Sequence, residues 1–223
     1  MKLSENTLAI LKNFAQINSG LVLKSGNVQK TISPEMTILV EAEIDDAIPS
    51  TFGIYDLNQF LGNLTTLNDP DLEFDDKSVL MSKDGIALKY YACSTNLITA
   101  PPDKELAIKK VDVNFNLTHS NLQILLKLAA MNSLPNLSVI GKNGEIRLQT
   151  HEKTNDTSNF ASVKVAEYAG EDFITSFKTE NLKLVPDDYD VEIQFSEDKK
   201  GGGFSKFSAK NKKLKYFIAL EAK

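Results

Sequence analysis

The chain has 223 residues, 25 Lys plus Arg against 30 Asp plus Glu, a formal charge of −5 and 42% apolar residues. This composition is that of one large or two smaller folded domains rather than a disordered chain, and its totals lack the basic excess of a conventional nucleic-acid binder. No apolar run approaches the roughly 18 residues of a bilayer span, and acid and amide within Met1–Asn6 leave no room for an export signal, so an intracellular protein is expected.

In chain order, the first expected element is an amphipathic helix over Leu3–Ser19. Ser4 caps it, Leu8, Leu11 and Ala15 form an apolar stripe, and Lys12 is read as lying opposite that stripe. A strand, tight turn and strand follow over Leu21–Val28. In the next strand Ile38, Val40, Ala42 and Ile44 alternate with Leu39, Glu41 and Glu43, so one face is buried and the other is acidic and wet. Tyr55–Leu61 begins a second, shorter helix. Leu88–Cys93 reads as a strand in which Cys93 is a small buried thiol.

The break between halves falls at residues 96–107, where Pro101-Pro102 cannot continue a central strand. It divides a domain of residues 1–107 from one of residues 108–223. Val111, Val113, Phe115 and Leu117 then alternate as a strand. Leu117–Ser133 repeats the opening helix, capped by Thr118, with Leu122, Leu125 and Ala129 as its stripe and Lys127 opposite. Leu137–Ile146 is a hairpin around Asn143-Gly144, two residues that tolerate positive φ. Phe177–Leu184, carrying Lys178 and Lys183, reads as a second short helix. Val191–Phe195 is a strand, Gly201-Gly202-Gly203 a hairpin tip, and Leu214–Phe217 a last strand answering Leu88–Tyr91.

The two helices align without gaps from Leu3–Ser19 onto Leu117–Ser133, with 7 of 17 positions identical. The other pairs follow at slowly growing offsets, as when elements are kept and loops vary in length. The chain is an internal duplication.

No catalytic pattern emerges. A single Cys excludes an internal disulfide, and His119 and His151 have no second ligand near them for zinc. Asp45-Asp46, Asp75-Asp76 and Asp187-Asp188 with Asp190 adjoin turn-forming residues, and solvated turns are the expected reading over a magnesium site. No cofactor is expected.

The location of charge is more informative than its total. Residues 1–107 hold 8 Lys and 15 acids, a net of −7, whereas residues 108–223 hold 17 basic residues and 15 acids, a net of +2. Of the 25 basic residues 24 are Lys, so any DNA contact is with phosphates and insensitive to sequence.

Met1–Ser4, Leu11–Gly20 with Leu23–Gly26, and Ile54–Gly62 closely resemble the sliding clamps of T-even-type bacteriophages. Over the second half the resemblance rests on the repeated helix and on Lys215–Glu221. It implies an α+β clamp fold and a homotrimeric ring of six similar domains, with twelve helices lining a hole and antiparallel sheets outside. It further implies a non-enzymatic processivity factor in the cytoplasm of the infected host cell. An ATP-driven clamp loader would place the ring around duplex DNA, where it tethers the replicative polymerase and serves late-transcription factors. Carried over by position, Lys12, Lys127 and Lys183 would face the hole, with Lys2 and Lys178 nearby. Partner peptides would enter a pocket sought near Ile98 to Leu106 and near Ala219 and Leu220 to Ala222. The competing reading is a phage structural or adaptor protein that reuses the duplicated fold without encircling DNA, with a metal-dependent nuclease a distant third.

Overall fold

A computed structural model of the chain describes residues 1–155, 157–196 and 202–221. It forms two compact units, Met1–Lys104 and Glu105–Lys223.

In the N-terminal unit, helix α1 (Glu5–Ile17) is followed by strands β1 (Leu21–Leu23), β2 (Gly26–Ile32), β3 (Ile38–Ile48) and β4 (Phe52–Ile54). Helix α2 (Leu57–Thr66) and strands β5 (Asp71–Phe74), β6 (Ser78–Lys83) and β7 (Ile86–Tyr91) complete it, with a 3₁₀ turn at Thr95–Leu97. The alternation expected of β3 is realised: Ile38, Val40, Ala42 and Ile44 are buried. Its acidic outer face is less acidic than the sequence suggests. Glu41 lies directly across from Lys30 on β2 and pairs with it at 2.6 Å, as cross-strand neighbours of opposite charge do.

The expected hairpin over Leu21–Val28 does not form. β1 pairs with β4, because the fully buried Gln29 side chain takes the place of a ladder. Its Oε1 accepts the Lys24 N–H at 2.9 Å and its Nε2 donates to the Lys24 carbonyl at 2.8 Å. Between β6 and β7 the two-residue turn Asp84-Gly85 has φ of 50° and 80°, matching the twist of the flanking strands. Gly53 is obligatory on β4, since a Cβ there would stand 2.4 Å from the Cys93 carbonyl oxygen. Cys93 itself lies beyond the end of β7 and is half-buried, so it is neither within the strand nor fully buried as expected.

The C-terminal unit runs β8 (Val113–Leu117), α3 (His119–Met131), β9 (Asn136–Lys142), β10 (Glu145–His151), β11 (Ala161–Glu167) and β12 (Phe173–Lys178). A 3₁₀ turn at Thr179–Asn181 precedes β13 (Tyr189–Phe195), β14 (Gly203–Ala209) and β15 (Leu214–Ala219). β11, β10, β9 and β12 lie side by side in that order, and β8, β13, β14 and β15 form a second antiparallel run. Asn143-Gly144 makes the expected two-residue turn between β9 and β10, with φ of 53° and 83°. The expected glycine tip begins at Gly201, outside the described residues.

Aromatic packing dominates this core. Phe177 and Phe207 meet at 5.7 Å, and Tyr189 and Tyr216 at 6.1 Å. The two hydroxyls share one backbone residue, as burial of such rings requires a polar partner. Tyr189 donates to the Val185 carbonyl and Tyr216 accepts the Val185 N–H at 3.0 Å. Burial pushes both phenols well above their ordinary range.

One expected element is missing. Phe177–Leu184 does not form the expected helix: Phe173–Lys178 is ladder-paired to β9, and only a single 3₁₀ turn follows. In the N-terminal unit Asp56 caps α2 by accepting the Gln59 N–H at 2.9 Å. Lys178 occupies the aligned position and has no acceptor to offer, and Pro186 obstructs the few residues left before β13. Among the described residues each chain therefore has three α-helices, not the four that twelve in a trimer require.

Candidate nucleic-acid interface

In the N-terminal unit the start of α1 is held by carboxylates. The Ser4 N–H donates to Asp46 Oδ2 at 2.8 Å, Asn6 Nδ2 donates to Asp45 Oδ1 at 3.0 Å, and Ser4 Oγ accepts the Thr7 N–H at 3.2 Å. Burial raises the Asp46 carboxyl, but hydrogen bonds from Thr7 and Ser4 outweigh it and hold the group below the usual carboxylate range. Asp45 and Asp46 are thus counter-charges at a helix start rather than mere solvated turn residues.

The buried face of α1 is Thr7, Ile10, Leu11, Asn13, Phe14 and Ile17, not the expected stripe. Leu11 is buried, but Leu8 and Ala15 are only half-buried at its margin. Lys12 points away from the buried face, and at 3.6 residues per turn it lies beside Leu8 and Ala15 rather than opposite them. The structure brings Lys12 and Lys2 together at a cleft of about 600 Å³ with a floor of Leu8, Leu61, Leu64 and Leu72. Across that cleft Lys2 pairs with Asp69 at 3.0 Å. Asp69 is carried on a turn in which Asn68 and Asp69 both have positive φ, 54° and 62°.

In the C-terminal unit Thr118 caps α3 by accepting the Asn121 N–H at 3.3 Å, and Asp188 Oδ1 accepts the His119 N–H at 2.7 Å. Leu122, Leu125 and Ala129 are buried as expected, and Lys127 stands opposite them, exposed. Lys178 and Lys183 bracket the 3₁₀ turn. That turn is pinned to the loop after α3 by the Thr179 N–H, which donates to the Pro135 carbonyl at 2.8 Å. That bond ties the segment carrying Lys178 and Lys183 to the loop that follows α3. Lys178 also pairs with Glu180 at 3.5 Å.

The residues expected at a partner pocket differ in accessibility. Ile98 packs against Gly20 and is buried, Leu220 is buried with its N–H donated to the Gly203 carbonyl, and Ala219 is half-buried. Leu106 is exposed. Ala222 lies outside the described residues.

Two further acids hold local structure. Asp187, expected to be solvated, is buried and accepts Asn211 Nδ2 at 2.7 Å, while Asp75 accepts the Lys77 and Ser78 N–H groups in its own turn, each at 2.7 Å. Among the described residues no group of three or more His, Cys, Asp or Glu is placed to hold a metal ion, and no helix is long and apolar enough to cross a membrane. His151 bonds Ser138 Oγ through Nε2 at 2.7 Å, with its pKa lowered first by burial and then by Lys153.

Sequence reasoning missed two features. Lys210, Lys212, Lys213 and Lys215 crowd the turn between β14 and β15, and a local count of lysines would have found them. Ile124, Leu128 and Met131 form an exposed apolar flank on α3, although the aligned Ile10, Phe14 and Ile17 of α1 are all buried. Only the contrast between the two copies reveals that flank.

Comparison with known proteins gives consistent matches along the chain. A family model described as DNA polymerase processivity factor matches residues 2–88, and one described as gp45 sliding clamp, C terminal, matches residues 114–222. The sliding clamp of Vibrio phage KVP40 is 31% identical over 228 residues, covering 100% of both chains. The sliding clamp of Enterobacteria phage T4 is 31% identical, covering 100% of this chain and 97% of its own. Among solved structures, the Proliferating Cellular Nuclear Antigen from Entamoeba histolytica superposes with a TM-score of 0.67 at 14% identity, over 99% of this chain and 97% of that one. The A. fulgidus PCNA with the C-terminal region of FEN-1 bound gives 0.68 at 12% identity, over 97% and 94%. At such identities these two establish the fold, an α+β DNA clamp.

Proposed function

This chain belongs to the gp45-type sliding clamps of bacteriophages, non-catalytic DNA polymerase processivity factors, and from that premise we propose that three copies close head to tail into a ring around duplex DNA. Membership implies DNA and polymerase binding within an oligomeric ring.

The observation that carries ring closure is a pair of uncovered surfaces, one on each unit. β7 is the end strand of its sheet and leaves Ile86 and Tyr91 exposed. β11 is the end strand of its own, with Phe160 67% exposed just before it. Phe160 adjoins Asn159, which reaches Asn132 at the end of α3 with a 2.9 Å hydrogen bond, and the Ile124, Leu128 and Met131 flank runs along that helix. Unpaired edges beside apolar side chains are templates for pairing. Contact of β7 with β11 of the next copy satisfies both edges, and such a heterologous contact generates a ring when its rotation closes. Two clamp domains per chain and three chains give six.

Inside the ring, Lys12 and Lys127 face the duplex from opposite the buried sides of their helices, with Lys2, Lys178 and Lys183 contributing from nearby. A few screened lysine contacts centre DNA without fixing a register, so the ring slides and topology supplies retention. The clamp loader, the replicative polymerase and late-transcription factors dock apolar peptide segments on the C-terminal unit around Leu106 and Ala219, in the cytoplasm of the infected host cell. Native mass tests the ring: three chains of 24.7 kDa give about 74 kDa, and a persistent monomer at micromolar concentration would refute it.

A further inference from the structure

Building on the docking reading above, we infer that Glu221 is a positioning residue for partner docking: clasped by Asn136 and Lys153, it holds residues 219–221 across the edge of β12 and so presents that edge to an apolar peptide in one conformation.

The chain changes sheets at this point. Ala219 is still in register with Phe204 on β14, and the Leu220 N–H donates to the Gly203 carbonyl at 3.0 Å. One residue later the Glu221 N–H donates to the Ser176 carbonyl on β12 at 2.8 Å. Residues 219–221 therefore bridge the two antiparallel sheets of the C-terminal unit. β12 is the end strand of its sheet, and the bond to Ser176 means that its outer edge accepts extended chain.

The Glu221 carboxylate fixes the crossing. Its Oε2 accepts Asn136 Nδ2 from the start of β9 and Lys153 Nζ from just beyond β10, both at 2.7 Å. The Glu221 side chain is 19% exposed and Asn136 is buried, so this is a shielded, charge-assisted clasp rather than a solvated surface pair. On the same face of β9 and β12 the Ser138 and Ser176 hydroxyls meet at 2.7 Å, and Ser138 also bonds His151 Nε2 at 2.7 Å. Without the carboxylate, the buried Asn136 amide loses an acceptor and the crossing loses its side-chain anchor. A segment ordered in advance spares a docking peptide the cost of ordering it.

The next pair along that face is apolar. Ile174 on β12 lies directly across from Ile140, and Ile174 is 55% exposed. An extended peptide that offers backbone groups to an end strand and an apolar side chain to the face beside it matches this edge.

The test measures processive primer extension by the cognate replicative polymerase, at increasing polymerase concentration, on circular template carrying equal amounts of loaded clamp. Glu221→Ala should raise the half-saturating polymerase concentration about tenfold, the scale of one charge-assisted bond, while saturating polymerase restores the wild-type product. Glu221→Gln, which keeps an acceptor for Asn136, should raise it less. Lys153→Glu and Glu221→Lys should each raise it, and the two together should restore it. A purely structural role would instead lower the plateau in step with the unfolding midpoint, and that outcome overturns the inference. Leu106→Asp probes the docking site independently. If Leu106→Asp raises the half-saturating concentration and Glu221→Ala does not, the inference falls and the docking reading stands. If neither variant changes it, the docking reading falls too. A wild-type clamp that gives no processive product at any polymerase concentration overturns the clamp reading itself.

Discussion

Asp188 and His119 are joined by a 2.7 Å hydrogen bond from the His119 backbone N–H to the Asp188 carboxylate, and in the other unit Asp46 accepts at 2.8 Å the N–H of Ser4, the cap residue one position earlier in the helix start. Each duplicated helix thus begins against an acid from a distant part of its own unit, which satisfies an orphan donor and opposes the helix dipole. Asp188→Ala should lower stability by about 1–2 kcal/mol and Asp188→Asn by less, as read from urea unfolding midpoints. Equal losses would mean that the neutral acceptor retained by Asn contributes nothing and that the charge carries the whole effect.

The pH dependence follows in sign. Asp46 has a depressed folded pKa, so its contribution is present above the unfolded carboxylate value of about 3.9. It is lost as pH falls through the folded value. Asp46→Asn should flatten the acid limb of a melting-temperature profile. His151 is also depressed, so the unfolded chain takes up its proton first and stability declines as pH falls from about 6.5 toward the folded value. His151→Gln should remove that shallow decline.

Helices α1 and α3 and their caps were legible in the sequence because duplication presents that element twice: Ser4 and Thr118 accept the expected N–H groups, and Leu122, Leu125 and Ala129 are buried. The stripe on α1 was misread because Leu8 and Ala15 are ordinary apolar residues, and only the fold decides which flank of a nearly all-apolar helix is covered. The absent second helix turned on one residue, Lys178 where Asp56 caps, a signal present in the alignment but weaker than the apolar pattern around it. The exposure of Lys12 and Lys127 was legible from their helical spacing. The lysine turn at residues 210–213 owes its position to Asp187 and Asp188, which no local pattern connects to α3.

Phe177 is buried against Phe207 in the aromatic cluster. Phe177→Ala should cost about 3–5 kcal/mol by leaving a cavity, with Phe177→Leu costing less, and the difference is measurable by denaturant titration of each variant.

Met131 is 81% exposed and Ile124 57%, so Met131→Asp or Ile124→Asp should leave the chain folded. If that flank is covered by the next copy, either change shifts native mass from about 74 kDa toward 24.7 kDa without moving the monomer's circular dichroism spectrum. An unaltered trimer would place the subunit contact elsewhere.

Lys12→Glu combined with Lys127→Glu should weaken loading onto or retention on circular DNA several-fold, because both side chains lie opposite the buried faces of their helices. Gel filtration should return the wild-type mass. Unchanged retention would remove these two lysines from the DNA-facing surface.

A ring that encircles DNA is held by topology, and linearising the DNA removes that hold. Clamps loaded onto nicked circular DNA, separated from free protein and then treated with a single-cutting nuclease should be released from the linear product while remaining on uncut circles. Equal retention on both forms, or equal loss from both, would contradict a ring that holds DNA by encircling it.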